Sequence, residues 1–167
     1  LMEMIILMVV AYSAVIDFKT RKIPNYVTFP FMIVGLLIAL LQKSFIGLTF
    51  SLTGILIGLL IFIIPYALGL LGAGDVKLMM GIGAWVGPSV IAVNSVIIII
   101  VGGVLAFISL MVKVHPLYPF KIMKDFVFSF IVRDIKGFFV RLGENSVDSI
   151  PYGIAILGGT VVTICLY

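Results

Sequence analysis

The chain has 167 residues, of which 63% are hydrophobic and 11% charged, with a formal net charge of +4. A soluble domain is roughly half apolar and about a quarter charged, so these proportions exclude a soluble globular protein and point to one integral membrane domain over residues 1–167. The lone cysteine, Cys165, excludes an internal disulfide, and with no C-x-x-C pair there is no zinc ribbon or redox motif.

The chain opens on an apolar run with no Lys or Arg before it; the basic cluster follows instead. That order does not fit a cleavable signal peptide. Crossing the hydrocarbon core takes roughly 17–25 residues of helix. The apolar runs predict an all-α polytopic membrane protein with about six transmembrane helices, at 2–17, 27–42, 48–71, 75–87, 89–112 and 150–167. Pro24 and Asn25 break the chain between the first two. The fourth helix is short and thinned by Gly81, Gly83 and Gly87, and Pro88 suits a turn or a first helical position. Between the fifth and sixth, at about 113–149, Lys121, Asp125, Ser129, Arg133 and Lys136 recur at helical spacing among Phe and Ile. This segment is expected to be an amphipathic helix on the inner leaflet; a short seventh span is the alternative. His115 is the only histidine, so no metal site is expected.

With the N-terminus outside, ten of the eleven Lys and Arg fall in cytoplasmic segments and only Lys43 faces out. The positive-inside rule favours this orientation, in a cell inner (plasma) membrane. Two of the seven acids then stand at membrane depth: Asp17 at the inner end of the first helix and Asp75 after the third. An even number of crossings separates them, so both belong to the cytoplasmic face. Intramembrane carboxylates are costly and their default reading is functional. Two carboxylates within hydrogen-bond reach share a proton and titrate as a pair, which is the equipment of an aspartic protease. An ion or proton pathway and an interfacial anchor beside Lys19 and Arg21 remain alternatives. Gly72 and Gly74, just before Asp75, let backbone or substrate approach closely.

Three stretches, "DFKTRKIPN" at 17–25, "GAGDVK" at 72–77 and "PYGIAILGG" at 151–159, resemble in order and spacing the signature blocks of the type IV prepilin peptidases, intramembrane aspartyl proteases of the G-x-G-D class. The resemblance implies that Asp17 and Asp75 are the catalytic pair. It also implies that the substrates are prepilin, pseudopilin or preflagellin-like membrane proteins, cut at a short basic leader on the cytoplasmic side, usually after a glycine. No cofactor and no nucleic acid are implied. Larger members carry a cytoplasmic domain with paired C-x-x-C motifs and also methylate the new N-terminus. Here the first helix leads straight into Asp17, so the chain resembles the short members and no methyltransferase activity is expected. The presenilin-like G-x-G-D proteins fit less well, since Asp17 follows Ile16 rather than Tyr and no Pro-Ala-Leu occurs.

Around the pair, Lys77 is expected either to tune Asp75 or to anchor to headgroups, and Lys19, Arg21 and Lys22 to set topology. Pro151, Tyr152 and Gly153 open the last helix on the same side, Pro being favoured at a helix start. Tyr152 either hydrogen-bonds near the pair or anchors at the interface. Two rival functions are a small transporter or proton channel using the same Asp pair, and a non-catalytic assembly subunit that needs neither Asp. The absence of an internal repeat counts against a transporter.

Overall fold

The computed structural model describes residues 2–113 and 152–167. The expected amphipathic segment at about 113–149, with Asp125, Asp134, Glu144 and Asp148, lies outside the described residues apart from Lys113, as do His115 and Pro151. Every regular element among the described residues is a helix, and there are four: α1 (Met2–Thr20), α2 (Asn25–Ala67), α3 (Ala73–Lys113) and α4 (Tyr152–Leu166). α2 and the part of α3 up to Leu105 are long and apolar enough to cross a membrane. With the composition, they mark a membrane protein.

Both long helices are folded back on themselves. α2 breaks at Lys43 (φ −131°, ψ 17°) and Ser44 (φ 52°, ψ −140°). Gly47 then packs against the backbone carbonyl of Ala39, whereas residues eight apart in an unbroken helix would stand about 12 Å apart. α3 breaks at Gly87 (φ 77°, ψ −177°), and Pro88 follows it as the opening residue of the second half. A positive φ of this kind is open to glycine and strained for other residues. Among the described residues these breaks leave six helical segments, and the two broken helices are the ones long and apolar enough to cross a membrane.

The ends of these segments differ from expectation in instructive ways. α1 continues to Thr20 rather than 17. Pro24, in extended conformation (φ −74°, ψ 145°), stands at the N-cap of α2, and Asn25 is the first helical residue rather than part of the break. α2 stops at Ala67, not at 71. Gly69 (φ 74°) donates its N–H to Tyr66 O at 2.9 Å, and Leu70 donates to Pro65 O at 3.0 Å. These are the two bonds of a Schellman C-cap, hidden in the sequence by the apolar residues around Gly69.

Glycines set how closely the segments approach. A Cβ on Gly54 or on Gly83 would strike the other residue's carbonyl, and one on Gly58 would lie 2.9 Å from Met79 O. Gly54/Gly58 and Gly83/Gly87 are two small-x-x-x-small pairs, which let membrane helices pack backbone to backbone. Ser51 Oγ donates to Ala84 O at 2.6 Å across this crossing. Trp85 Nε1 donates to Phe31 O at 2.8 Å, and the two rings stack with centroids 5.4 Å apart. These contacts weld α2 to the first half of α3. α4 lies between α1 and α3, while α1 meets α2 and α3 only sparsely.

The turn at Lys43 and the start of α1 share one end of the bundle, where Met2, Lys43 and Phe50 line a small common cavity. Gly87 is there too, against Phe50. The end of α1 and the starts of α2, α3 and α4 gather at the opposite end.

Candidate active site

Asp17 is the last member of a buried stripe on α1 formed with Ile6, Val10, Ser13 and Ala14. Steps of three and four residues keep these positions on one helix face. The stripe faces α4, and the carboxylate meets its first turn: Gly153 N donates to Asp17 Oδ2 at 2.8 Å. The first four amides of a helix have no partner within it, and an anion is favoured at that end. Gly153 has to be small. A Cβ there would lie 3.0 Å from Asp17 Oδ2, from Asp17 Cβ and from Ala14 Cα.

Asp75 is positioned by its own helix. α3 starts at Ala73 with Gly72 before it, so Asp75 is the third helical residue. Its Oδ2 accepts the Gly72 N–H at 2.9 Å. This is the reach-back half of a capping box, with Asp in place of the usual Glu or Gln. It fixes the rotamer of Asp75 and leaves Oδ1 as the free atom. That oxygen is buried and has no hydrogen-bond partner among the described residues. Leaving a buried polar atom unpaired costs about 1–3 kcal/mol, and more for a charged group, so such an atom calls for an explanation in strain or chemistry.

The two aspartates are 6% and 7% exposed, and Asp75 stands within electrostatic reach of Asp17. Two contacts join their surroundings. A Cβ on Gly74 would fall 2.9 Å from both Cβ and O of Ile23, so the start of α3 is pressed against the backbone between α1 and α2. Lys77 Nζ donates to Asn25 Oδ1 at 2.9 Å and sits 5.1 Å from the centre of the Phe29 ring. The lysine therefore ties the start of α3 to the start of α2. The space beside Gly74 is filled by the protein's own backbone; Gly72 faces the Asp75 carboxylate, at 3.2 Å for a Cβ.

Tyr152 lies over Gly102 of α3, where a Cβ would meet the ring at 2.7 Å, and is within electrostatic reach of Asp75. Lys19, Arg21 and Lys22 are exposed at the same end. Ile23, buried at 7%, is the site residue that sequence reasoning passed over; only its place before Pro24 marked it. No group of His, Cys, Asp and Glu suited to a metal ion occurs among the described residues.

The site thus offers two buried carboxylates, each held through one oxygen by a backbone N–H at a helix start. No curated protein and no solved structure matches the chain significantly. The family model for type IV leader peptidases matches residues 4–112, which takes in Asp17, Gly72, Gly74 and Asp75 and stops short of the block at 151–159. That match spans more than half of the sequence, and the chain belongs to the type IV leader peptidase family.

Proposed function

We propose that this membrane peptidase is an aspartic endopeptidase that removes the short basic leader of type IV prepilin-like or flagellin-like substrates at the cytoplasmic face, with Asp17 and Asp75 as its catalytic residues. The observation that carries the proposal is the pair itself: two buried carboxylates on different helices, each anchored through one oxygen at the same end of the bundle. One carboxylate takes a proton from water as the water oxygen attacks the scissile carbonyl. The other gives its proton to the carbonyl oxygen, and collapse of the tetrahedral intermediate returns a proton to the leaving amine. Both protons stay within the dyad and the substrate, so this chemistry calls for no cofactor.

The six helical segments are each taken as a crossing, with the N-terminus outside. Under that topology the basic residues Lys19, Arg21, Lys22 and Lys77 lie with the aspartates at the cytoplasmic surface of an inner membrane. The substrate is an apolar helix with a leader ahead of it. Cleavage needs the junction drawn out as an extended strand, because helical carbonyls are engaged in hydrogen bonds. Purified protein in detergent, incubated with a leader-bearing pilin, should yield the truncated product by mass, and an Asp17→Asn or Asp75→Asn variant should not. A wild-type preparation that is folded yet leaves the leader intact would refute the proposal.

A further inference from the structure

Three polar side chains that this chemistry does not use are buried together between α3 and α4. Asn94, Thr160 and Thr163 are 1%, 2% and 2% exposed. Thr163 Oγ1 stands 3.0 Å from Asn94 Oδ1 and 2.9 Å from Gly159 O, and its one proton is shared between those acceptors. Asn94 Nδ2 donates to Thr160 Oγ1 at 3.4 Å. Around them the packing is apolar: Ile91 and Ile98 on α3 and Ile156 on α4 are fully buried. Polar groups stranded in such a setting are expensive. Sliding α4 by one residue turns it by about 100° and shifts it by about 1.5 Å, which would separate all three at once. The cluster therefore defines one register of α4 on α3.

That register reaches the aspartates along α4. Ile98 packs in the space left by Gly159, Tyr152 covers Gly102, and the Gly153 amide holds Asp17. Because α1 meets α2 and α3 only sparsely, α4 is, among the described helices, the one packed on both α1 and the helix that carries Asp75, beside the contact of Gly74 with Ile23. We infer that Asn94, Thr160 and Thr163 are positioning residues that lock the register of α4, and through the Gly153 amide hold Asp17 in place opposite Asp75. The inference rests on the peptidase reading for its consequence in catalysis, though not for its geometry.

Thr163→Val keeps the shape and removes the hydroxyl; Thr163→Ser keeps the hydroxyl. In leader cleavage, Thr163→Val should lower kcat roughly tenfold per folded molecule with KM little changed, since displacements of about 1 Å weigh on the chemical step. Thr163→Ser should stay close to wild type. A purely structural role would reduce the amount of folded enzyme and leave kcat per folded molecule unchanged. Hydrogen exchange gives a second readout that needs no activity. Among the described residues the Gly153 amide is held by Asp17 Oδ2, so its protection reports on that bond. Exchange over residues 152–159 should be several-fold faster in Thr163→Val, with residues 25–42 unaltered. Should that variant fail to fold, Thr160→Val, which removes only the longer bond, should move both readouts in the same direction by a smaller factor. If kcat and exchange are both unchanged in the folded valine variants, the inference is wrong. If wild type cleaves no leader while exchange follows the stated pattern, the peptidase reading fails and the register lock stands.

Discussion

Ile23 occupies the place that a side chain on Gly74 would need, with both its Cβ and its carbonyl oxygen 2.9 Å from where a Cβ would stand. The second glycine of the G-x-G-D sequence is thereby a contact between the segment after Asp17 and the segment before Asp75. It fixes how closely α3 approaches the α1–α2 connection.

Gly74→Ala should therefore cost more activity than stability. The added methyl meets backbone, which has little room to yield, and overpacking of this kind costs about 1–3 kcal/mol. Thermal unfolding should show a loss of that size, and leader cleavage should fall well below what the loss of folded protein explains. Gly72→Ala is the comparison. The nearest atom its methyl would meet among the described residues is Asp75 Oδ2, at 3.2 Å, and cleavage should stay within several-fold of wild type. Equal effects from the two alanines would sink this account of Gly74.

Lys77 and Asn25 should behave as one unit. Their hydrogen bond joins the starts of α3 and α2, and charged hydrogen bonds contribute about 1.5–3 kcal/mol at most, less at an exposed site. Lys77→Met and Asn25→Ala should each lower the unfolding temperature modestly. The double variant should be no worse than the more damaging single one, a coupling that a thermal double-mutant cycle reads directly. Additive losses would mean that the lysine acts elsewhere.

Much of this arrangement was legible in the sequence, and the exceptions have physical causes. The six segments follow from apolar runs cut by Lys43, Gly87 and Pro88, because charge and helix breakers act locally. The end of α2 did not, because its Schellman cap is built from Gly69 amid leucines. The pairing of Asp17 with Gly153 was also invisible: it spans 136 positions and involves a backbone amide that any residue except proline would supply. The resemblance drew attention to the third block without saying what Gly153 does. The sequence leaves Lys77 between tuning Asp75 and anchoring to headgroups, whereas its hydrogen bond goes to Asn25. The expectation that the two glycines admit substrate or backbone resolves differently at each. Gly74 meets the backbone of Ile23, and Gly72 supplies an amide to Asp75.

Topology is open to cysteine labelling in a Cys165→Ser background. Thr20 and Ser44 are both exposed and stand at the two ends of the bundle. A cysteine at Thr20 should react only with reagent on the cytoplasmic side, and one at Ser44 only from outside. Reaction of both from one side would remove the basis for placing the aspartates at the inner face. A cysteine at Lys124, beyond the described residues, should react as Thr20 does.

The aspartates themselves give the sharpest test. Asp17→Asn and Asp75→Asn should each abolish nearly all cleavage, and the double variant should be hardly worse, because residues acting on one transition state do not contribute additively. Folding should survive, since asparagine retains a carbonyl oxygen that can accept the Gly153 amide at position 17 or the Gly72 amide at position 75. Circular dichroism and gel filtration should match wild type. The wild-type rate should rise and fall with pH as a bell, as expected where the reaction needs one group as base and another as acid. Asp125→Asn and Asp134→Asn, to which the proposed mechanism gives no role, should keep most of the activity. A single asparagine variant at 17 or 75 that still processes a prepilin within a few-fold of wild type would mean that the buried pair is not the proteolytic apparatus, and that the Asp75 oxygen without a partner among the described residues serves some other end.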